Sequence, residues 1–591
     1  MNIYRMNTRT LTLTGVCAGV FFLASCTELR RPEPNPYLAE SQPPAVKELR
    51  WSNGPSPKSL DPAMASTAPE TDIVRAVYEG LAVTDPKTLD AVPGVAESWN
   101  VSADGLEWTF KLREDAKWTN GRPMSANDFV RSWNRLNHLG DRFTNRNLLD
   151  NFARVEGNPR PAEPKPADDF VEPPDPSQTE ALPHDSANDQ IATKVEDEQS
   201  SESVVPKKTE PELAVNAPDA ETLVVKLVRP DTEFLRVVAH PNFSPVYDEK
   251  QLNASKTKNT KAVTNGALRV TAIEGTSIVL EKSETYWNHD AVALDKVTFV
   301  AAAKPDDALA AYREGKVDVV TNTEFAPLAQ KLFSPYADFK KTAYSALNYY
   351  EFNHKKAPFN DRRVREALAI SLEREKISDV ELEGTTLPAF SFLPFSTESK
   401  TKIVQDKDRA AELLEQAGFP GGAGFPTIRL VINRNEVQHR VARAAARMWK
   451  ANLNIDTDIV LAENAELEAI RKASNFDLLR RGAVFATASE YASISALFGN
   501  ETVSTASTET PAPASAPGPS TGTPVENSSN GKTLTEAQAI FEMHAVPIYF
   551  PMSFALVKPY VNGYEMNTMD SVSLSGISID SEWRPQLKKT N

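Results

Sequence analysis

Cysteine is almost missing: the 591-residue chain carries 2, Cys17 and Cys26, so no disulfide framework can hold it together. Its 7 histidines, His138, His184, His240, His289, His354, His439 and His544, are scattered without metal-ligand spacing. There is no G-x-S-x-G elbow and nothing that marks an activated cysteine. Gly531-Lys532-Thr533 has the tail of a phosphate loop, but Glu526 stands where the upstream glycine is needed. "GFPGGAGFP" (418–426) follows a helical pattern, so it reads as a helix stop and turn. These absences predict a protein that is not an enzyme and needs no cofactor or metal. No basic stripe offers itself to nucleic acid. After the first 25 residues no apolar run is long enough to cross a membrane.

The N-terminus is different. Arg5 and Arg9 precede an apolar core, Leu11 to Leu23, that is short of the twenty or so residues of a spanning helix. Leu23-Ala24-Ser25-Cys26 resembles the lipobox of bacterial lipoproteins, cut before a cysteine whose sulfur carries a lipid. That implies a signal peptide over 1–25, a lipidated Cys26 and a Pro-rich tether over 26–46, all outside the cytoplasm. The alternative is an ordinary signal peptide in which Cys26 is incidental.

The net charge of -15 says little about partners. Residues 156–219 hold sixteen acids, five bases and eleven prolines, too little apolar content to fold, and the rest is near neutral. An acidic disordered insert is expected over 151–219, and a Ser/Thr/Pro-rich one over 501–532. From Leu49 onward, outside these two segments, the texture is globular. "LEWTFKLR" (106–113), "ETLVVKLV" (221–228) and "SIVLEK" (277–282) read as strands. "SANDFVRSWNRL" (125–136) opens with Ser125 and Asp128 in capping-box spacing. "RVREALAISLEREKI" (363–377), "DRAAELLEQAGF" (408–419) and "HRVARAAARMWKANL" (439–453) read as amphipathic helices. Strands alternating with helices predict an α/β fold.

Several long stretches carry a family likeness: "LRWSNGPSPKSLDPAMAS", "YEGLAVTDPKTLDAVPGVAESWNVSADGLEWTFKLREDAKWTNGRPMSANDFVRSW", "TNGALRV", "IVLEKSETYWN", "LNYYEFNHKKAPFNDRRVREALAISLEREKI" and "VPIYFPMSFALVKPYVNGYE". From about residue 48 to 590, in order, the chain resembles the family 5 solute-binding proteins, and among them the oligopeptide receptors of ABC importers. The resemblance implies a two-lobed periplasmic-binding-protein-like (type II) α/β fold with a hinge and an additional small domain. The expected division is lobe I over 47–87, 220–315 and 555–591, the extra domain over 88–150, and lobe II over 316–554. It also implies a monomer that captures peptides in the cleft and passes them to ABC permease subunits. A non-transport sensor or scaffold, or a receptor for a sugar or nickel chelate, stays open.

In this family an aspartate in a "G-W-x-x-D-Y" stretch, after an "F-D-x-x-R" strand, holds the peptide's α-ammonium. Here the strand is Phe476-Asp477-Leu478-Leu479-Arg480, with Gly482 following. Without a gap the tryptophan position is Ala483 and the aspartate position Ala486; with a four-residue shift Glu490 takes the acid's place beside Tyr491. Both alignments remain open. The resemblance further points to Ala68 in the Ser66-Thr67-Ala68 loop and to Asn322 as ligand neighbours. Arg480 and His439 are expected near a peptide carboxylate, and Tyr549 as a pocket wall.

Overall fold

The computed structural model describes residues 36–39, 42–155, 211–248, 262–395, 401–499 and 534–585. The expected signal peptide, Cys26, most of the tether, most of the first insert and all of the second lie outside the described residues.

A large mixed sheet runs through both lobes. In the first lobe its strands are Leu268–Glu274, Ser277–Lys282, Lys296–Val300, Glu48–Ser52 and Val319–Val320, in that spatial order. The second lobe continues with Ala346–Phe352, Leu478–Val484, Ile428–Asn433 and Thr457–Ala462. Between the two lies the long strand Ala545–Val557. Its first half pairs with Ala346–Phe352 and Thr386–Pro388, and its second half with Phe339–Ala343 and Val319–Val320. A strand shared in this way joins the lobes, and the chain crosses again at Tyr344–Ser345. Prolines inside a central strand look out of place, because proline cannot donate to the ladder. Pro547 sits opposite Tyr349 at a register shift, and Pro551 stands where the pairing passes from one lobe to the other. The irregular ladder accommodates both.

Each lobe has its own core. Leu49, Trp51, Ile73, Phe299 and Tyr560 fill the first, and Leu347, Leu368, Leu430, Trp449 and Ile548 the second. The helix Glu436–Leu453 is capped by Asn435, whose side chain accepts from the Gln438 N–H, and it ends at Asn454 in the left-handed region. Trp449 on its buried face donates to the Leu368 carbonyl, 3.0 Å away. The long helix expected over 363–377 is broken. Arg362–Ile370 stops, a short turn Arg374–Lys376 follows, and a wide turn Ile377–Glu381 completes it.

A third core belongs to the small domain. Its sheet is ordered Ala96–Val101, Glu107–Leu112, Thr222–Lys226, Val215–Asn216, and the helix Ala126–Leu139 covers it. The alternation in "EWTFKL" buries Trp108, Phe110 and Leu112, and the Ser125/Asp128 capping box is present. Three expected boundaries shift. Val319–Val320, inside the span expected for lobe II, pairs with Trp51–Ser52 in the first lobe. Thr222–Lys226, inside the span expected for lobe I, pairs with Glu107–Leu112 in the small domain. Residues 151–155 and 211–219 fall inside the expected acidic insert, yet Arg154–Val155 pairs with Glu212–Leu213. The reason is physical: Phe152, Leu213 and Val215 are apolar and enter this core.

Candidate ligand-binding site

Where the crossing strands meet, a cavity of 560 Å³ opens between the lobes. From the first lobe come the loop Ser66–Ala68, the helix residues Thr71 and Arg75, and Asn322; from the crossing and the second lobe come Tyr344, Ser345 and Val484–Ala486. Ser553 on the shared strand and Asp570 beyond it close the wall. The loop is held by side-chain amides from distant parts of the chain. Asn242 Nδ2 donates to the Pro62 and Ala65 carbonyls, which sets the chain entering Ser66. Asn322 Nδ2 then donates to the Asn53 carbonyl at 3.2 Å and the Ala68 carbonyl at 3.3 Å. That arrangement needs glycine at 54: its φ is +97°, and a Cβ there would lie 2.6 Å from Asn322 Nδ2.

The wall is charged. Arg75 sits 3.5 Å from Asp72, one turn earlier on the helix Glu70–Val77. Burial pushes the Asp72 carboxyl up to about 6, with Arg75 opposing the shift. Asp570 Oδ2 accepts from Ser553 Oγ at 2.9 Å, and burial pushes this carboxyl up to about 7. The Ser553 hydrogen bond and Arg75 oppose that rise, and the charge of Asp72 adds to it. His240 is pushed down to about 3 by burial and by Arg75, so it is neutral, and its Nδ1 accepts from the Asn242 N–H.

The residues expected from the sequence fall into three places. Ala68 and Asn322 line this cavity, together with Ala486. Arg480, Gly482 and Tyr549 gather around Asn348, farther into the second lobe. Asn348 pairs with Gly482 on one side and Tyr549 on the other, and its Oδ1 accepts from Arg480 Nε and Nη2 at 3.0 and 2.5 Å. Tyr549 is buried and its hydroxyl accepts from Gln438 Nε2, so the neighbouring His439 stands on the same helix.

Glu490 lies apart from both groups. Leu478–Val484 pairs with Ala346–Phe352 without a slip, and the Phe485 N–H continues the ladder to the Ser345 carbonyl. Just beyond this ladder Ala486 lines the first cavity. Glu490 starts the helix Glu490–Phe498 and lines a second cavity of 1010 Å³ with Tyr491, Phe395 and Arg236. Its N–H donates to Glu233, and its Oε1 accepts from the Glu536 N–H at 2.8 Å. It thus ties down the first residue of the helix Glu536–Glu542. Glu490→Gln keeps an oxygen for that N–H and is expected to leave ligand affinity unchanged in titration calorimetry.

Sequence reasoning missed Arg75, Tyr344, Asn348 and Asp570. The three-residue spacing of Asp72 and Arg75 was visible but is common on helix surfaces. Nothing local in the sequence joins Asp570 to residues almost five hundred positions earlier. Among the described residues no helix is long and apolar enough to cross a membrane, and no cluster of His, Cys, Asp or Glu has the makings of a metal site.

Comparison with known proteins agrees with this architecture. The family described as bacterial extracellular solute-binding proteins, family 5 Middle, matches residues 90–505. The periplasmic oligopeptide-binding protein OppA of Escherichia coli (strain K12) is 30% identical over 545 residues, 89% of this chain and 90% of its own length. Among solved structures, the unliganded open form of the periplasmic murein tripeptide-binding protein MppA has a TM-score of 0.66 at 24% identity, covering 91% of this chain and 98% of that one. Haemophilus influenzae OppA in complex with RPPGFSPFR has a TM-score of 0.54 at 25% identity, covering 91% of this chain and all of that one, 100%. Two lobes joined by a shared strand, a polar cavity at the crossing and a family match over most of the length lead to one conclusion: this chain belongs to the bacterial extracellular solute-binding proteins of family 5, which bind solutes and are not enzymes.

Proposed function

We propose that this chain is an extracytoplasmic peptide receptor, lipid-anchored through Cys26, that delivers its ligand to the permease of an ABC importer. The observation that carries the reading is the cavity at the lobe crossing, lined from both lobes by loop backbone, hydroxyls and charged groups. A ligand there touches both lobes at once, so closure around the shared strand is coupled to binding. An extended peptide suits such a site, because the strand end Val484–Ala486 and the loop Ser66–Ala68 line the same space. The relatives named above are oligopeptide- and murein-peptide-binding proteins, which supports the ligand class.

Native mass spectrometry of the purified chain tests the ligand class. Release of short peptides on denaturation is the expected result; a sugar, a metal chelate or a cleft that is empty in every preparation contradicts it. Ala486, uncharged where an ungapped reading of the family motif places an acid, favours a second reading, a receptor for a non-peptide solute, and the same measurement separates the two. The anchor has its own test. Cys26→Ser is expected to release the protein from membranes washed with carbonate, and full retention would contradict lipidation.

A further inference from the structure

The charges around the inter-lobe cavity do not balance. Arg75 is its cationic side chain, and Asp72 beside it, at 3.5 Å, already offsets that charge. His240 is neutral. Two further carboxylates line the space: Glu324, which is exposed, and Asp570, which is half-buried. Asp570 is held in place on one side only. Its Oδ2 accepts from Ser553 Oγ, while its Oδ1 takes no hydrogen bond from the described residues. Ser553 lies on the shared strand Ala545–Val557, so the carboxylate is anchored to the element that joins the lobes. A carboxylate so placed, with one free oxygen on a cavity wall, is complementary to a cation with several N–H donors.

We infer that Asp570 is the specificity residue of the cleft, accepting the primary ammonium of the ligand in a site where position 486 carries no acid. The inference rests on the peptide reading above, and it names the group on the peptide that the cleft reads. Asp72 and Asp570 share the single cation Arg75, and an acid left with only part of a counter-charge in a partly dry wall is costly to the empty protein. An ammonium entering the cavity supplies that counter-charge.

The electrostatic surroundings give the inference a pH signature. The groups facing Asp570 are Asp72 and Arg75 on the helix, Tyr344 at the crossing and Tyr564 on its own segment. Tyr344 is pushed up to about 12 and Tyr564 well above its ordinary value, both by burial, so both stay neutral. With the Asp570 carboxyl raised to about 7, an ammonium that requires the carboxylate must displace a proton at lower pH. Affinity for a free-amino ligand therefore falls as pH is lowered from about 7 to about 5, while an α-ammonium stays protonated throughout.

The test is titration calorimetry of the full chain with a short peptide that has a free N-terminus and with the same peptide N-acetylated. Asp570→Asn is the variant: asparagine also tolerates the left-handed backbone found there, φ +47°, and can still accept from Ser553. The expected result is a loss of roughly ten- to a hundredfold for the free-amino peptide, the scale of one hydrogen bond to a charged group. The acetylated peptide should bind weakly to the unaltered protein, with little change in the variant and no pH dependence. Unchanged affinity of Asp570→Asn for the free-amino peptide overturns the inference and leaves the peptide reading intact. An equal loss for both peptides also overturns it, because the residue would then act on the shape of the cleft. No binding of either peptide to the unaltered protein instead defeats the peptide reading itself.

Discussion

Asp318→Ala is expected to lower the stability of the first lobe by about 3–5 kcal/mol, the cost of leaving a buried charge without its partner. Asp318 is fully buried and serves three segments. Oδ2 accepts from the Arg50 N–H at 2.8 Å and from Arg50 Nε at 3.1 Å. Oδ1 accepts from Arg50 Nη2 at 2.6 Å and from the Tyr560 hydroxyl at 2.7 Å. The carboxylate therefore ties Glu48–Ser52 to the segment leaving the shared strand, one residue before Val319–Val320 joins the sheet. Removing it strands the buried Tyr560 hydroxyl and a guanidinium whose side chain is only 25% exposed. Urea unfolding is the measurement, and Asp318→Asn, which keeps an acceptor, should lose less. A loss below about 1 kcal/mol for the alanine variant would mean that the pair behaves like a solvent-screened surface contact.

Trp133→Ala carries the second large effect, about 3–5 kcal/mol for truncating a buried aromatic, and it is expected to be local to the small domain. Trp133 is fully buried on the helix Ala126–Leu139, with ring centroids 5.7 Å from Phe152 and 5.3 Å from Phe243. Its indole N–H donates to the Phe243 carbonyl at 2.8 Å, so truncation leaves both a cavity and an unpaired acceptor. Because this core is separate from those of the lobes, the variant should show an early transition by hydrogen exchange at 126–139 while the second lobe keeps its protection. A single transition, lowered for all three cores together, would show that the small domain is not an independent cooperative unit.

How much of this was legible depended on the range of the interaction. Alternation in 107–112 and the Ser125/Asp128 box are local, and both predicted their elements. "ETLVVKLV" showed a strand but could not show its partner, because the 2-residue period states which faces are buried and not which neighbour pairs. Hence Thr222–Lys226, expected in lobe I, pairs instead within the small domain. The break at Ile370 came in a stretch whose apolar stripe continues, so periodicity alone could not find it. In the site, the family likeness points to Ala68 and Asn322, and both line the cavity, while Glu490 starts the helix Glu490–Phe498 and lines the second cavity. Arg75 and Asp570 line one cavity from far-separated parts of the chain, and no spacing encodes that arrangement.

The central claim is that peptides bind at the lobe crossing. Hydrogen exchange of the purified chain, with and without a pool of short free-amino peptides, tests it most directly. Protection gained at 66–68, 322–324 and 484–486, the backbone that lines the cavity, is the predicted result. Saturating peptide that leaves those segments unprotected, or that protects only the second cavity around Glu490, would contradict it.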